Sequence, residues 1–278
     1  MRCVFIFVVG RIRLTAYIVS TGERTSGRDV HIALPLNHGG FALNSITMQK
    51  VFEDLELRDK EGAFPDRETA GRRLAVSLES YRKSDAIVLA IPSGGVPVAA
   101  QVATRLDLEM DLIIARKVQF PDEPESGFGA VGPDGVAVLN YRLIENAGLS
   151  DRTVQEQVRK ASESVAEREG IFRGGRPYPN LMGRTVILVD DGLASGSTML
   201  AAMQFVRKMG ASKVVVAVPT GSARTVDDIS QNADEVHCLN VRTSKWFAVA
   251  DAYENWKDVS AEDVKAILDA GPGRRKAY

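Results

Sequence analysis

The sequence predicts an α/β fold: an open, mainly parallel twisted sheet flanked by helices. Three observations predict it. Short β-branched apolar runs alternate with segments of helical period; glycine-rich loops follow two of those runs; and 278 residues with 45% hydrophobic content and a net charge of −1 suit one α/β domain with a sizeable core.

The elements follow in chain order. Residues 1–47 stand apart. Cys3 to Val9 is apolar but too short to span a bilayer, Arg11-Ile12-Arg13 interrupts it, and no cleavage signal follows. The segment then loses periodicity until Met48, so it is expected as an N-terminal extension, either disordered or preceding a true start at Met48. The remaining 231 residues, 48–278, are expected to form the domain. Asp66 to Tyr81 places Ala70, Leu74, Ala75 and Leu78 at helical spacing, with Asp66 as the cap. Ala86 to Ile91 reads as a buried strand, Val96 to Leu106 as a helix and Leu112 to Ala115 as a second strand, one βαβ unit. Gly129 to Leu139, split by Pro133-Asp134-Gly135, reads as a hairpin. A long charged helix from Asp151 to about Glu169 precedes a strand at Thr185 to Val189 and a helix from Thr198 to Met209. A strand at Lys213 to Val218, a short helix near Val226, a strand at Glu235 to Leu239 and a final helix opened by Ser260-Ala261-Glu262-Asp263 complete the chain.

The most informative stretch is Val186-Ile187-Leu188-Val189-Asp190-Asp191-Gly192-Leu193-Ala194-Ser195-Gly196-Ser197-Thr198. It joins a buried strand to a carboxylate pair and then to a loop of small residues that opens a helix. Ligands of open α/β sheets bind beyond the carboxyl ends of the strands, where Asp190 and Asp191 fall. Small side chains let backbone N–H groups approach an anion, Ser197 or Thr198 can cap the helix, and the helix N-terminus favours negative charge. Two carboxylates repel a bare phosphate, so the ligand needs hydroxyls for the acids and a phosphate for the loop; ribose 5-phosphate meets both demands. A lone Asp-Asp-Gly would read better as an ordinary strand-end turn. A Walker loop would need a Gly-Lys-Ser/Thr ending, and a dinucleotide fold Gly-x-Gly-x-x-Gly; neither is present.

The first strand ends in Ile91-Pro92-Ser93-Gly94-Gly95-Val96-Pro97. Ser93, Gly94 and Gly95 can form a second anion cradle before a helix, although taken alone a glycine turn with Pro97 in the first helical turn reads equally well. Two such cradles suit a ligand with two phosphate groups. Arg116-Lys117 then adds two cations, and the long connection from Pro121 to Ala130 favours a functional loop over a simple connector.

These residues resemble the phosphoribosyl diphosphate (PRPP) motif of type I phosphoribosyltransferases, which runs as two acids, two variable residues, then Ala/Asp-Thr-Gly-x-Thr. Ser195 stands where the family has threonine, keeping the hydroxyl. The resemblance covers roughly residues 64–268 and is similar to a poorly characterised subgroup in which arginine often occupies the Ser93 position. It implies a small hood from the C-terminal or N-terminal segment. It also implies that Asp190 and Asp191 bind the ribose hydroxyls, that Gly192, Leu193 and the run Ala194, Ser195, Gly196, Ser197, Thr198 wrap the 5-phosphate, and that Ser93, Gly94, Gly95, Arg116 and Lys117 meet the pyrophosphate. The catalytic candidates are Asp190, Asp191, Arg116 and Lys117. Mg2+ would arrive with PRPP, with no direct protein ligand.

The implied reaction is transfer of the 5-phosphoribosyl group to a nitrogenous base or related amine with release of pyrophosphate. It places the chain in nucleotide metabolism, salvage included, in the cytoplasm, and a homodimer is plausible from the family. The alternative is a non-catalytic PRPP-sensing regulator. Enzymes for 6-oxopurines usually carry aspartate at the Ala194 position, so the loop is closer to adenine or orotate enzymes there. Trp246 and Phe247, with Tyr253 and Trp256 nearby, could stack a planar base or pack under the final helix; both alternatives stand.

Other chemistries lack material. No polybasic excess points to nucleic acid, and Cys3 and Cys238 are too far apart in sequence to suggest a zinc site or a disulfide scaffold. The three histidines, His31, His38 and His237, do not supply a triad.

Overall fold

A computed structural model describes residues 50–123 and 126–271 in full, with the backbone of four strands among residues 3–47. The chain divides into two units, Met1–Lys50 and Val51–Tyr278. In the first, β1 (Cys3–Val9), β2 (Ile12–Val19), β3 (Asp29–Pro35) and β4 (Phe41–Thr47) pair antiparallel in sequence order. The proposed start at Met48 and the side chains of this unit, His31, His38 and Cys3 among them, lie outside the described residues.

The second unit is built on a six-stranded parallel sheet. It contains β5 (Val51–Phe52), β6 (Ile87–Ala90), β7 (Glu109–Leu112), β11 (Thr185–Val189), β12 (Lys213–Ser222) and β13 (Glu235–Arg242), in the spatial order β5-β13-β12-β11-β6-β7. Side chains alternate across the sheet. Val88, Ala90, Ile187, Val189, Val215 and Ala217 enter one core with α1 (Arg67–Ser77), α2 (Gly95–Leu106) and α7 (Ala261–Asp269). Ile87, Leu89, Val186, Leu188, Val214, Val216 and Val218 enter the other with α5 (Ser197–Lys208) and α6 (Ala223–Ser230). The central strands are therefore apolar on both faces, which is why their sequences read as unbroken runs.

A second sheet, β8 (Arg116–Gln119), β9 (Gly127–Val131) and β10 (Ala137–Leu139), is antiparallel. The expected hairpin is its β9–β10 half, turned at Gly135 with φ +75°. Residues Pro124 and Glu125 of the expected functional loop lie outside the described residues. A short helix, α3 (Tyr141–Asn146), follows. Helix α4 (Asp151–Arg173) then runs 23 residues from its Ser150 cap to Gly174 in the left-handed conformation, farther than Glu169.

Two boundaries differ from the sequence expectation. The strand expected at Leu112–Ala115 pairs instead at Glu109–Leu112. Residues 113–115 are buried; Ile113 N–H still donates to the Ala90 carbonyl, and the chain then crosses between the sheets, so Arg116 and Lys117 open β8 rather than end a strand of the parallel sheet. Strands β12 and β13 extend past Val218 and Leu239 because buried polar residues are paired inside them: Thr220 Oγ1 donates to Asn240 Oδ1 at 2.7 Å, and the Asn240 amide donates to the Leu57 and Lys60 carbonyls. A buried polar group costs little once hydrogen-bonded, but it breaks the apolar pattern.

Candidate functional site

The two loops meet beyond the carboxyl ends of adjacent strands β6 and β11. Gly94 lies against Asp191: a Cβ built on Gly94 would fall 2.0 Å from Asp191 Oδ2, and one on Gly95 would fall 2.7 Å from the Val189 carbonyl oxygen and 2.8 Å from Asp190 Cα. Only glycine permits this approach. The Pro92–Ser93 peptide is cis.

The long end of β12 holds the 192–198 loop. Leu193 N–H donates to the Thr220 carbonyl at 2.9 Å, Ser222 N–H to the Leu193 carbonyl at 3.2 Å, and Thr225 Oγ1 to the Ala194 carbonyl at 2.6 Å. Gly196 caps α5 with φ +73°, and no side chain caps this helix. Ser197 and Thr198 thus lie inside the first turn, correcting the capping role expected for either. Ser195 Oγ instead accepts from the Ser197 N–H at 3.4 Å, leaving first-turn N–H groups directed at the loop. Asp190 Oδ1 accepts from the Asp191 N–H at 2.9 Å. Burial, and then the Asp191 charge beside it, push the Asp190 carboxyl well above the ordinary aspartate range.

Asp191 is tied to residues that sequence reasoning did not link to it. Its Oδ2 accepts from Arg67 Nε at 2.8 Å, with both side chains largely buried. Arg67 also donates to the Lys257 carbonyl at 2.6 Å and lies 3.9 Å from the centre of the Trp256 ring. Tyr253 Oη donates to the Asp191 carbonyl at 2.7 Å. The first turn of α1 and the segment 253–257 are thereby fastened to one residue, Asp191, by its carboxylate and its backbone carbonyl. Arg67 is 124 residues from Asp191, and no local pattern announces the pair. Trp246 is exposed at 83% and Phe247 is half-buried; no hydrogen bond or ring contact links either to the carboxylates. The aromatic residues joined to the site are Tyr253 and Trp256.

Of the expected cations, Arg116 is half-buried and its Nε donates to Ser164 Oγ on α4 at 3.1 Å. The Lys117 stem crosses Gly127, where a Cβ would fall 2.5 Å from Lys117 Cγ. Arg168 of α4 donates from Nη1 to Ser93 Oγ at 3.5 Å. Among the described residues no group of three or more His, Cys, Asp or Glu could hold a metal ion, and no helix is long and apolar enough to cross a membrane.

A model of the phosphoribosyl transferase domain matches residues 63–255. A Mycobacterium tuberculosis protein named as a phosphoribosyl transferase is 41% identical over 206 residues, covering 74% of this chain and 46% of its own length. The chain thus spans about half the length of the curated relatives it matches. A ribose-phosphate pyrophosphokinase of Thermoplasma volcanium is 29% identical over 133 residues, 46% of this chain and 40% of that protein. The crystal structure of the Thermus thermophilus protein TT1426 superposes with a TM-score of 0.61 and 38% identity, covering 74% of this chain and 97% of that one. Matched from the first turn of α1 through the carboxylate pair to Tyr253, the chain belongs to the phosphoribosyl transferase family.

Proposed function

We propose that the domain transfers the 5-phosphoribosyl group of PRPP to a nitrogenous base or related amine and releases pyrophosphate. The observation that carries this is the contact of the Gly94–Gly95 turn with Asp190 and Asp191, which brings the loop after β6 against the carboxylate pair that precedes the loop after β11. Such spacing suits a pentose with a phosphate at one end and a diphosphate at the other.

In this mechanism Ala194 to Thr198 hold the 5-phosphate through backbone N–H groups and the positive end of α5. Asp190 and the second carboxylate oxygen of Asp191, Oδ1, accept hydrogen bonds from the ribose 2- and 3-hydroxyls. Ser93, Gly94, Gly95, Arg116 and Lys117 face the diphosphate. The acceptor nitrogen forms a bond to the anomeric carbon as the carbon–oxygen bond breaks, pyrophosphate leaves with that electron pair, and the nitrogen proton passes to solvent. Positive donors fixed where charge builds on the leaving group supply the main stabilisation.

Magnesium would arrive on the diphosphate and ribose oxygens of the ligand, with Asp190 and Asp191 holding the sugar hydroxyls and Arg67 already occupying Asp191 Oδ2, so the protein would supply no direct ligand to the ion. Bound in that way, the ion supplies charge neutralisation and a template for the diphosphate.

Cytoplasmic location, a place in nucleotide salvage and a homodimer belong to the same proposal, supported by the family. The test is pyrophosphate release from PRPP and magnesium across purine and pyrimidine bases, with the Asp190→Ala/Asp191→Ala protein as blank. Release that needs one base and vanishes in the blank supports transfer and names the acceptor. PRPP binding with no release for any base refutes transfer to those bases and favours a sensor.

A further inference from the structure

Helix α4 turns one face to the body of the domain. Ala161, Val165 and Phe172 are buried on it, at spacings of four and seven residues. Arg168 occupies the same stripe, between Val165 and Phe172, where an apolar residue belongs. Its guanidinium points past Phe172, with 5.9 Å to the ring centre, and reaches Ser93 Oγ at 3.5 Å. One turn earlier, Ser164 accepts from Arg116 Nε. A single helix therefore carries one guanidinium, Arg168, to the turn that opens α2 and holds a second, Arg116 of β8, one turn away along its length.

Neither arginine has a carboxylate within salt-bridge distance among the described residues. The α4 acids lie elsewhere: Glu156 and Glu163 pair with Arg159, and Glu169 pairs with Arg173 and accepts from Tyr178. Glu167 acts on Arg116 only at longer range, and the Arg168 charge opposes it; burial is the larger influence, and the net effect pushes the Arg116 pKa down. Two like charges held near each other, with no carboxylate paired to either among the described residues, repel. An anion with at least two charged groups would relieve that cost, and guanidinium forks match phosphoryl oxygens. The 5-phosphate loop is a separate place, at the N-terminus of α5.

We infer that Arg168 is a second guanidinium ligand of the diphosphate, closing with Arg116 and Ser93 over the leaving group of the PRPP site proposed above. The residue comes from a helix far from both sequence motifs and supplies the positive charge that Ser93 lacks.

The test is calorimetric titration of the whole protein, with magnesium, by pyrophosphate, ribose 5-phosphate and PRPP in turn. Variants are Arg168→Gln, Arg168→Lys and, as a charge-matched control on the same helix, the exposed Arg159→Gln. In R168Q, pyrophosphate and PRPP should bind about tenfold to a hundredfold more weakly, as expected for loss of a charged hydrogen-bonded contact. Ribose 5-phosphate should be unchanged, which also shows that the variant is folded. R168K should recover part of the loss, and R159Q should match the wild type. Unchanged pyrophosphate affinity in R168Q, or equal weakening of ribose 5-phosphate, overturns the inference. Wild-type protein that binds pyrophosphate through Arg168 but neither sugar phosphate would overturn the proposed function while leaving the clamp standing. PRPP binding indifferent to R168Q would do the reverse.

Discussion

Gly94→Ala tests whether the two loops form one site. The added Cβ would lie 2.0 Å from Asp191 Oδ2 and 2.5 Å from Cγ, whereas ordinary contact begins at 3.4 Å. Relief therefore requires a movement of about 1.4 Å, the difference between 3.4 and 2.0 Å. Asp191 has little freedom to supply it, since Arg67 holds Oδ2, Tyr253 holds the carbonyl and Asp190 accepts from its N–H. Overpacking of this kind costs about 1–3 kcal/mol, and a cost of about 2 kcal/mol lowers Tm by roughly 4–8 °C in a domain of this size. Misplacing the sugar carboxylate by about 1 Å should cost on the order of a hundredfold in kcat/KM for pyrophosphate release. Gly170→Ala is the control. Its Cβ meets nothing within 4 Å inside α4, so it should leave turnover alone and stabilise by about 0.5–1 kcal/mol. Calorimetric melting and PRPP-dependent turnover of both variants decide the matter. If G94A melts with the wild type and keeps its kcat/KM, the loops are not in the contact described.

Arg67→Gln should lower stability by about 3–5 kcal/mol, because it strands a buried carboxylate beside a second one; denaturant unfolding measures this, and a red shift of Trp256 emission should accompany it. Asp190→Asn replaces a carboxyl whose pKa is raised by burial and then by the Asp191 charge, so Tm should hold or rise while turnover falls about a hundredfold or more; a lower Tm with normal turnover would reverse the assignment. His237 gives a pH signature. It stacks on Phe52, hydrogen-bonds with Ser77 and faces Glu235 and Lys213, and burial pushes its pKa below the usual 6.5. The folded state therefore binds the proton less readily than the unfolded chain, so this contribution is complete above about pH 6.5 and is lost as pH falls below it, by up to about 1.4 kcal/mol per pH unit. Urea unfolding between pH 5 and 7 should show a flatter slope for His237→Gln; equal slopes would remove His237 as the source.

The sequence by itself determined the parallel sheet, its central strands and the two small-residue loops that follow β6 and β11. Each depends on interactions local in the chain: strands buried on both faces must be apolar throughout, and backbone can approach a phosphate only where side chains are small. The same locality set its limits. The run Leu112–Ala115 joins the parallel sheet only at its start, through Leu112, so composition marked burial and misplaced the bounds of the strand. Thr220 and Asn240 interrupt the apolar pattern of β12 and β13, yet they pair with each other. Tertiary structure alone decided that Arg67 would pair with Asp191 across 124 residues and that Tyr253 and Trp256 would be fastened to that pair. It also decided that Arg168 would reach Ser93 across 75 residues. An arginine on an apolar helix stripe was a visible signal, but its direction was not. Charges find partners through space, and only the packed sheet fixes which distant side chains share that space.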